Sequence, residues 1–422
     1  MGCAKNLVDS ELLMNQLEAN EFSITFDPAD IHELDTVIVN TCGFIGDAKQ
    51  ESIDIILQLV NAKQKGDLKH VYVMGCLSER YQSQLKTEIP EVDAFFGVND
   101  LKKIIRHIGG NYKIQLTGDR KLSTPPHYAY LKIAEGCSRK CSFCAIPSIR
   151  GRHLSRPMDE LLDEARKLVA SGVREINIIS QDTTFFGLDR YKRKKLPDLL
   201  EALAGIRGLD WIRLHYAYPD GFPLEIMDVM KSHPNICKYI DIPLQHCSDR
   251  ILKSMRRGIT QAETWKLIET LRGKIPEITI RSSFIVGYPG ETETEFNELK
   301  QFISTAKFER LGVFTYSHEE GTNAHDLKDN VSPKTKQRRA QELMDIQENI
   351  SLKLNQQKIG QMIQIIVDRT DEDYHIARSA IDSPEVDNEV LIPARNNSMV
   401  PGTFYTVKIT NAESFDLFAE LI

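Results

Sequence analysis

The stretch "EGCSRKCSFCAIP" (135–147) decides how this chain is read, because it sets Cys137, Cys141 and Cys144 in a CxxxCxxC arrangement. Three thiolates on so short a loop can converge on one centre, and soft sulfur selects zinc or an iron–sulfur cluster. A structural zinc needs a fourth ligand nearby, and no Cys or His stands at finger-like spacing. Three thiolates suit a four-iron cluster with one iron left open, although such clusters usually have four cysteines. The bland alternative is three loop thiols with no metal.

Apolar runs with strand character surround this loop. Candidates lie near 128–134, 174–180, 210–216, 237–243, 278–286 and 310–316, and helical patterns near 157–171, 196–206, 222–232, 261–273 and 292–306 separate them. Six repeated βα units without a dinucleotide fingerprint predict an incomplete barrel rather than an open Rossmann sheet. Ahead of it, "TVIVNTCGF" (36–44) and "HVYVMGCL" (70–77) read as buried parallel strands, each followed by a helix, near 47–65 and 78–88. Cys42 and Cys76 fall just past those strands, on the edge where ligands gather in open parallel sheets. Cys3 precedes a helical pattern near 6–19, yet its own strand is missing from the sequence. A loosely tethered Cys3, and native residues ahead of Met1, are therefore expected. Taken alone, cysteines 39 and 34 residues apart read as core thiols.

Beyond the barrel, "SPKTKQRRAQELMDIQENISLKLNQQ" predicts a long helix with Ser332 as N-cap and Pro333 in its first turn. After Gly360, "MIQIIVDRT", "NEVLIPA" and "FYTVKITNAES" predict a small all-β barrel. The domain plan is 1–110, 124–330, a linking helix over 331–355, and 356–422.

The cysteine loop and the βα repeats resemble the radical S-adenosylmethionine superfamily. There an iron of the cluster chelates the amino and carboxylate groups of S-adenosylmethionine, and an electron cleaves the sulfonium to give a 5′-deoxyadenosyl radical. Phe143 matches the aromatic residue common before the third cysteine. With Cys3, Cys42 and Cys76 ahead of it and a β-barrel behind, the whole chain resembles the methylthiotransferases of that superfamily. The resemblance implies an α/β architecture: a flavodoxin-like N-terminal domain, a central partial (βα)6 barrel and a C-terminal TRAM barrel. It also implies two [4Fe-4S] clusters, one on Cys137, Cys141 and Cys144 and a second, used in sulfur delivery, on Cys3, Cys42 and Cys76.

Within that family, "SQDTTFFG" (180–187), "DIPLQHCSD" (241–249) and "YSHEEGT" (316–322) resemble the branch that modifies ribosomal protein. Gln181 and Asp182 close the second barrel strand and Gln245 and His246 the fourth, at the rim expected to surround S-adenosylmethionine. "SSFIVGYPGETE" (282–293) resembles the adenine-flanking segment, with Gly287 and Gly290 permitting close approach and Glu291 as a contact. Turn and N-cap work is the alternative for these polar residues. Cys237 and Cys247 belong to no ligand set.

The resemblance implies the chemistry: one S-adenosylmethionine donates a methyl group to a cluster-bound sulfur, and a second yields the radical that takes hydrogen from an unactivated carbon. No side-chain base abstracts such a hydrogen at neutral pH, so a radical is required. Two substrates compete, the β-carbon of an aspartate in small-subunit ribosomal protein S-twelve and an adenosine beside the tRNA anticodon. A third possibility, of another class, is an iron–sulfur sensor without catalysis. The net charge of −7 sits almost wholly after residue 355, where 11 acidic residues face 5 basic ones. An RNA-binding barrel should be basic, so the tail favours a basic protein partner. The basic run "RYKRKKLPD" (190–198) reads as a solvated loop, with docking on ribosomal RNA as the alternative. Eight cysteines are too few for a disulfide scaffold in 422 residues. No stretch approaches the ~20 apolar residues of a membrane span and no signal peptide is visible, so a reducing cytoplasmic location is expected, while the resemblance implies a separate electron donor.

Overall fold

The computed structural model describes residues 2–28, 30–31, 34–116, 118–395 and 398–422, and the chain divides into two compact units. The first comprises the chain to Ser123 together with Ala134–Arg156 and Ser317–His325; the second comprises Thr124–Ile133, Pro157–Tyr316 and Asp326–Ile422.

In the first unit, β1 (Thr36–Thr41), β2 (His70–Gly75) and the two-residue β3 (Ala94–Phe95) form a parallel sheet in that order. The Val- and Ile-rich runs suit strands whose faces are covered by helices, here over Gly46–Lys65, Cys76–Glu88 and Leu101–His107. Val39, Ile56, Val71, Val73 and Leu77 are among the buried core residues between them. Register matters for the site: Thr41 pairs with Gly75 at the strand ends. The next residue after each strand is Cys42 or Cys76, so in-register pairing delivers both to one edge. Cys3 stands at the N-cap of the helix Ala4–Glu18, and its carbonyl accepts from Leu7 N–H at 3.0 Å. Within the same unit β5 (Ala134–Glu135) and β6 (Leu154–Ser155) pair antiparallel and pinch off the loop carrying Cys137, Cys141 and Cys144.

In the second unit six strands lie parallel and in chain order: β4 (Tyr128–Lys132), β7 (Glu175–Ile179), β8 (Trp211–Leu214), β9 (Ile236–Asp241), β10 (Thr279–Val286) and β11 (Arg310–Thr315). Sequential order with β4 and β11 at the two edges is the partial (βα)6 barrel expected from the repeats. The helix Pro333–Gln356 starts at Ser332, whose hydroxyl accepts from Thr335 N–H at 3.2 Å. Then β12 (Met362–Thr370), β13 (Tyr374–Ser379), β14 (Glu389–Pro393), β15 (Phe404–Ala412) and β16 (Asp416–Leu421) close a small barrel in the order β12-β13-β14-β16-β15.

The loop between β13 and β14 qualifies the charge argument from the sequence. Asp382 pairs with Arg310, Asp387 takes a 2.7 Å bond from Tyr239 and one of 3.2 Å from Arg281, and Glu385 accepts from Tyr128 at 2.9 Å. Asp368 is held by Arg378 and His127. Three of the eleven acidic groups in the tail, Asp368, Asp382 and Asp387, are thus paired with arginine or histidine side chains, while Glu385 stays exposed. Tyr128 and Arg310 open their strands, so this acidic loop seals the barrel at the end opposite the strand C-termini. The outward acidity is smaller than the composition suggests.

Candidate functional site: two sets of cysteines and a strand-end rim

Asn6, unmarked in the sequence, is the hub of the N-terminal cysteines. Its Oδ1 lies 4.0 Å from Cys3 Sγ and 3.7 Å from Cys76 Sγ, while its Nδ2 donates to the carbonyl of Thr41, next to Cys42, at 3.0 Å. All three cysteines interact electrostatically with one another. Glycines allow this closeness. A Cβ on Gly43 would meet backbone atoms of Leu77 at 2.6 Å, so the Cys42 and Cys76 segments touch main chain to main chain. Gly75 holds φ +100, where a Cβ would meet the Thr41 carbonyl at 2.6 Å. Cys3 is exposed, Cys42 half-buried and Cys76 buried. Burial pushes the Cys42 thiol up and that of Cys76 to about 11, with the Arg150 guanidinium opposing the rise at Cys76.

In the same unit, Cys137 is buried and Cys141 and Cys144 half-buried. Arg139 N–H donates to Cys137 Sγ at 3.4 Å, Cys137 N–H to Gly151 O at 3.0 Å, and Cys144 N–H to Cys141 O at 3.2 Å. Backbone donors to sulfur are a lever that tunes iron–sulfur clusters. Phe143 lies half-buried on this loop. No cysteine forms a disulfide. Among the described residues no three Cys, His, Asp or Glu side chains close on a point that one ion could fill. A tetrahedral zinc would need sulfurs about 3.8 Å apart, from bonds of about 2.3 Å; a cluster spreads its ligands over separate irons. The soft, three-sulfur donor sets fit a four-iron cluster.

Contacts of the segment Ser317–His325 also tie this unit together. Glu319, in "YSHEEGT", is buried and accepts from Lys49 and Arg80 at 2.8 Å each and from Ser317 at 2.6 Å. Arg80 also donates to Gly43 O at 3.0 Å, and Ala324 N–H reaches Ser142 O, between Cys141 and Phe143, at 2.7 Å. The strap Ser317–His325 therefore binds both the Cys42 turn and the radical-type loop. The acidic motif was visible in the sequence, but its cationic partners Arg80 and Lys49 lie 239 and 270 residues away.

At the strand ends of the second unit, Gln181 is half-buried and Asp182 buried, with Asp182 Oδ1 accepting from Thr184 at 2.6 Å. Gln245 holds φ +76, a left-handed conformation rare outside glycine, pinned by bonds of 2.8 Å to Ser283 and Ile285. Tyr216, past β8, holds φ +55. Such strain persists where the surroundings over-determine it, and it gathers at functional sites. His246 is fully buried, and burial drives its pKa down to about 3, so it is a neutral core imidazole. Gly287, at φ +74, is crowded by the Lys336 side chain, which a Cβ would meet at 2.3 Å. Both oxygens of Glu291 are engaged: Oε2 by Gly287 N–H at 2.7 Å and Tyr288 N–H at 3.3 Å, Oε1 by Arg339 at 2.8 Å. These two build the turn after β10. Cys237 and Cys247 are buried, their thiols pushed up by burial, that of Cys237 to about 11.

A six-stranded partial barrel with a CxxxCxxC loop after its first strand defines a radical S-adenosylmethionine enzyme, and three family models match the chain. They are the radical SAM superfamily over residues 131–303, the uncharacterized protein family UPF0004 over 1–97, and the TRAM domain over 359–422. Two solved structures share the fold, both of the radical S-adenosylmethionine methyltransferase TsrM from Kitasatospora setae. One, with cobalamin and a [4Fe-4S] cluster bound, has TM-score 0.53 and 16% identity over 74% of this chain and 72% of that one. The other, with tryptophan and aza-SAM, has TM-score 0.56 and 16% identity over 74% and 70%. The protein named ribosomal protein uS12 methylthiotransferase RimO in Phocaeicola vulgatus is 52% identical over 100% of this chain and 98% of its own. Its namesake in Christiangramia forsetii is 52% identical over 100% and 92%. The chain belongs to the RimO methylthiotransferase family.

Proposed function

We propose that this protein transfers a methylthio group to the β-carbon of an aspartate in ribosomal protein uS12, the S-twelve of the small subunit. Identity of 52% along the whole chain to proteins of that name carries the proposal. On this account Cys137, Cys141 and Cys144 hold one [4Fe-4S] cluster and Cys3, Cys42 and Cys76 a second. Bound there, the clusters supply the electron that cleaves S-adenosylmethionine and the site to which sulfur is delivered. The protein's own work is to fix sulfur positions through Asn6, Gly43 and the Glu319 strap, and to keep Cys76 and Cys137 buried from water. Phe143, Gln181, Asp182 and the strained Gln245 are assigned to S-adenosylmethionine, and Gly287 and Glu291 to the turn that supports it.

We keep 1–110, 124–330, 331–355 and 356–422 as the functional divisions, with a separate electron donor and a cytoplasmic site of action. Among the described residues no helix is long and apolar enough to cross a membrane. The test is to digest uS12 from cells lacking this protein. Loss of the methylthio mass from the aspartate peptide is expected, and an unchanged peptide overturns the assignment.

A further inference from the structure

Arg150 follows the short helix Ile146–Ile149, six residues past Cys144, yet its guanidinium reaches the N-terminal cysteines. Its side chain is only 1% exposed. Nη1 donates to Glu135 at 2.9 Å, and Nη2 to Asp9 at 3.0 Å and to Asn6 Oδ1 at 2.6 Å. That Asn6 oxygen is the atom approached by both Cys3 Sγ and Cys76 Sγ. Arg150 also acts electrostatically on Cys76.

A structural brace would be complete with the two carboxylates. The third bond, to Asn6, aims the cation at the cysteines and fixes which way the Asn6 amide faces. A centre held by three thiolates is anionic, and an anion in a water-poor interior needs a nearby cation. An arginine keeps its charge at every working pH and offers several donors in a fixed fork, so it can hold Asn6 and face sulfur at once.

We propose that Arg150 is a positioning residue of the N-terminal centre: it locks Asn6 between Cys3 and Cys76 and sets a fixed positive charge beside the Cys76 sulfur, raising the centre's reduction potential. This rests on Cys3, Cys42 and Cys76 holding a cluster. Because Arg150 is carried by the segment leaving the other cysteine loop, it also ties the two sets together.

The test uses the full chain with Cys137, Cys141 and Cys144 all changed to Ala, reconstituted anaerobically, so that only the N-terminal centre is read. This parent should hold about four irons; no iron would refute the cluster itself and the inference with it. In that background the midpoint potential is followed by electron paramagnetic resonance for Arg150→Gln and Arg150→Lys. Removing the cation should disfavour the added electron at least tenfold, about 59 mV for one electron, and Lys should restore more than half of the shift. An unchanged potential in Arg150→Gln overturns the proposal, and so do equal shifts in both variants. If Arg150→Gln loses its iron, Arg150→Lys decides: iron kept at the parent potential supports the charge role, and iron lost overturns it.

Discussion

Replacing Gly43 with Ala tests whether Cys42 and Cys76 form one site. The added Cβ would sit 2.6 Å from Leu77 Cα and N and 2.7 Å from the Cys76 carbonyl carbon. These are backbone atoms that no rotamer change can move aside. Restoring an ordinary contact of 3.4 Å demands a separation of about 0.8 Å between the two turns. Thiolate–metal bonds of about 2.3 Å tolerate only about 0.2 Å, so that movement breaks the ligand geometry. Overpacking of this kind costs about 1–3 kcal/mol, which leaves the chain folded. Iron and acid-labile sulfide are measured after anaerobic purification, with 5′-deoxyadenosine formation measured in parallel. Iron should fall from about eight to about four per chain, S-adenosylmethionine cleavage should persist, and methylthio transfer should stop. Gly273→Ala is the control, since nothing lies within 4 Å of its added carbon; on its helix Ala should stabilise by about 1 kcal/mol. A Gly43→Ala protein with about eight irons and full transfer would refute the shared site.

Other perturbations separate the remaining parts. Cys141→Ala should abolish 5′-deoxyadenosine formation while leaving about four irons on the N-terminal set. Asp382→Ala leaves buried Arg310 without its nearest carboxylate; breaking a buried pair costs about 3–5 kcal/mol, so calorimetry should show a clear drop in Tm. Burial acts to raise the Glu319 carboxyl, but bonds from Lys49, Ser317 and Arg80 outweigh it and hold its pKa below the usual value. Its contribution is therefore present at neutral pH and lost as pH falls through the depressed pKa. Glu319→Gln should flatten that acid limb in a stability–pH profile.

Regular elements were legible because their patterns are local. All six barrel strands fall within two residues of their apolar runs, and Ser332 caps its helix as its type suggests. β3 has only two residues, too few for a periodic signal, and β13 carries Arg378, whose burial depends on Glu175 far away in the chain. The cysteines were legible as a list, but what brings the N-terminal three together was not. Asn6, Gly43 and Arg150 are ordinary letters until the fold sets Thr41 beside Gly75 and Arg150 against Asn6. Composition alone does not show that Asp382 and Asp387 of the acidic tail have buried side chains paired with Arg310 and Arg281.

The most direct measurement gives the anaerobically reconstituted protein, with reductant, sulfide and S-adenosylmethionine, a choice between a uS12 loop peptide and an adenosine-bearing tRNA anticodon stem. Mass spectrometry should find one methylthio group replacing one hydrogen on the peptide's aspartate and none on the RNA. Modified RNA with an unmodified peptide, or 5′-deoxyadenosine with neither product, would contradict the account.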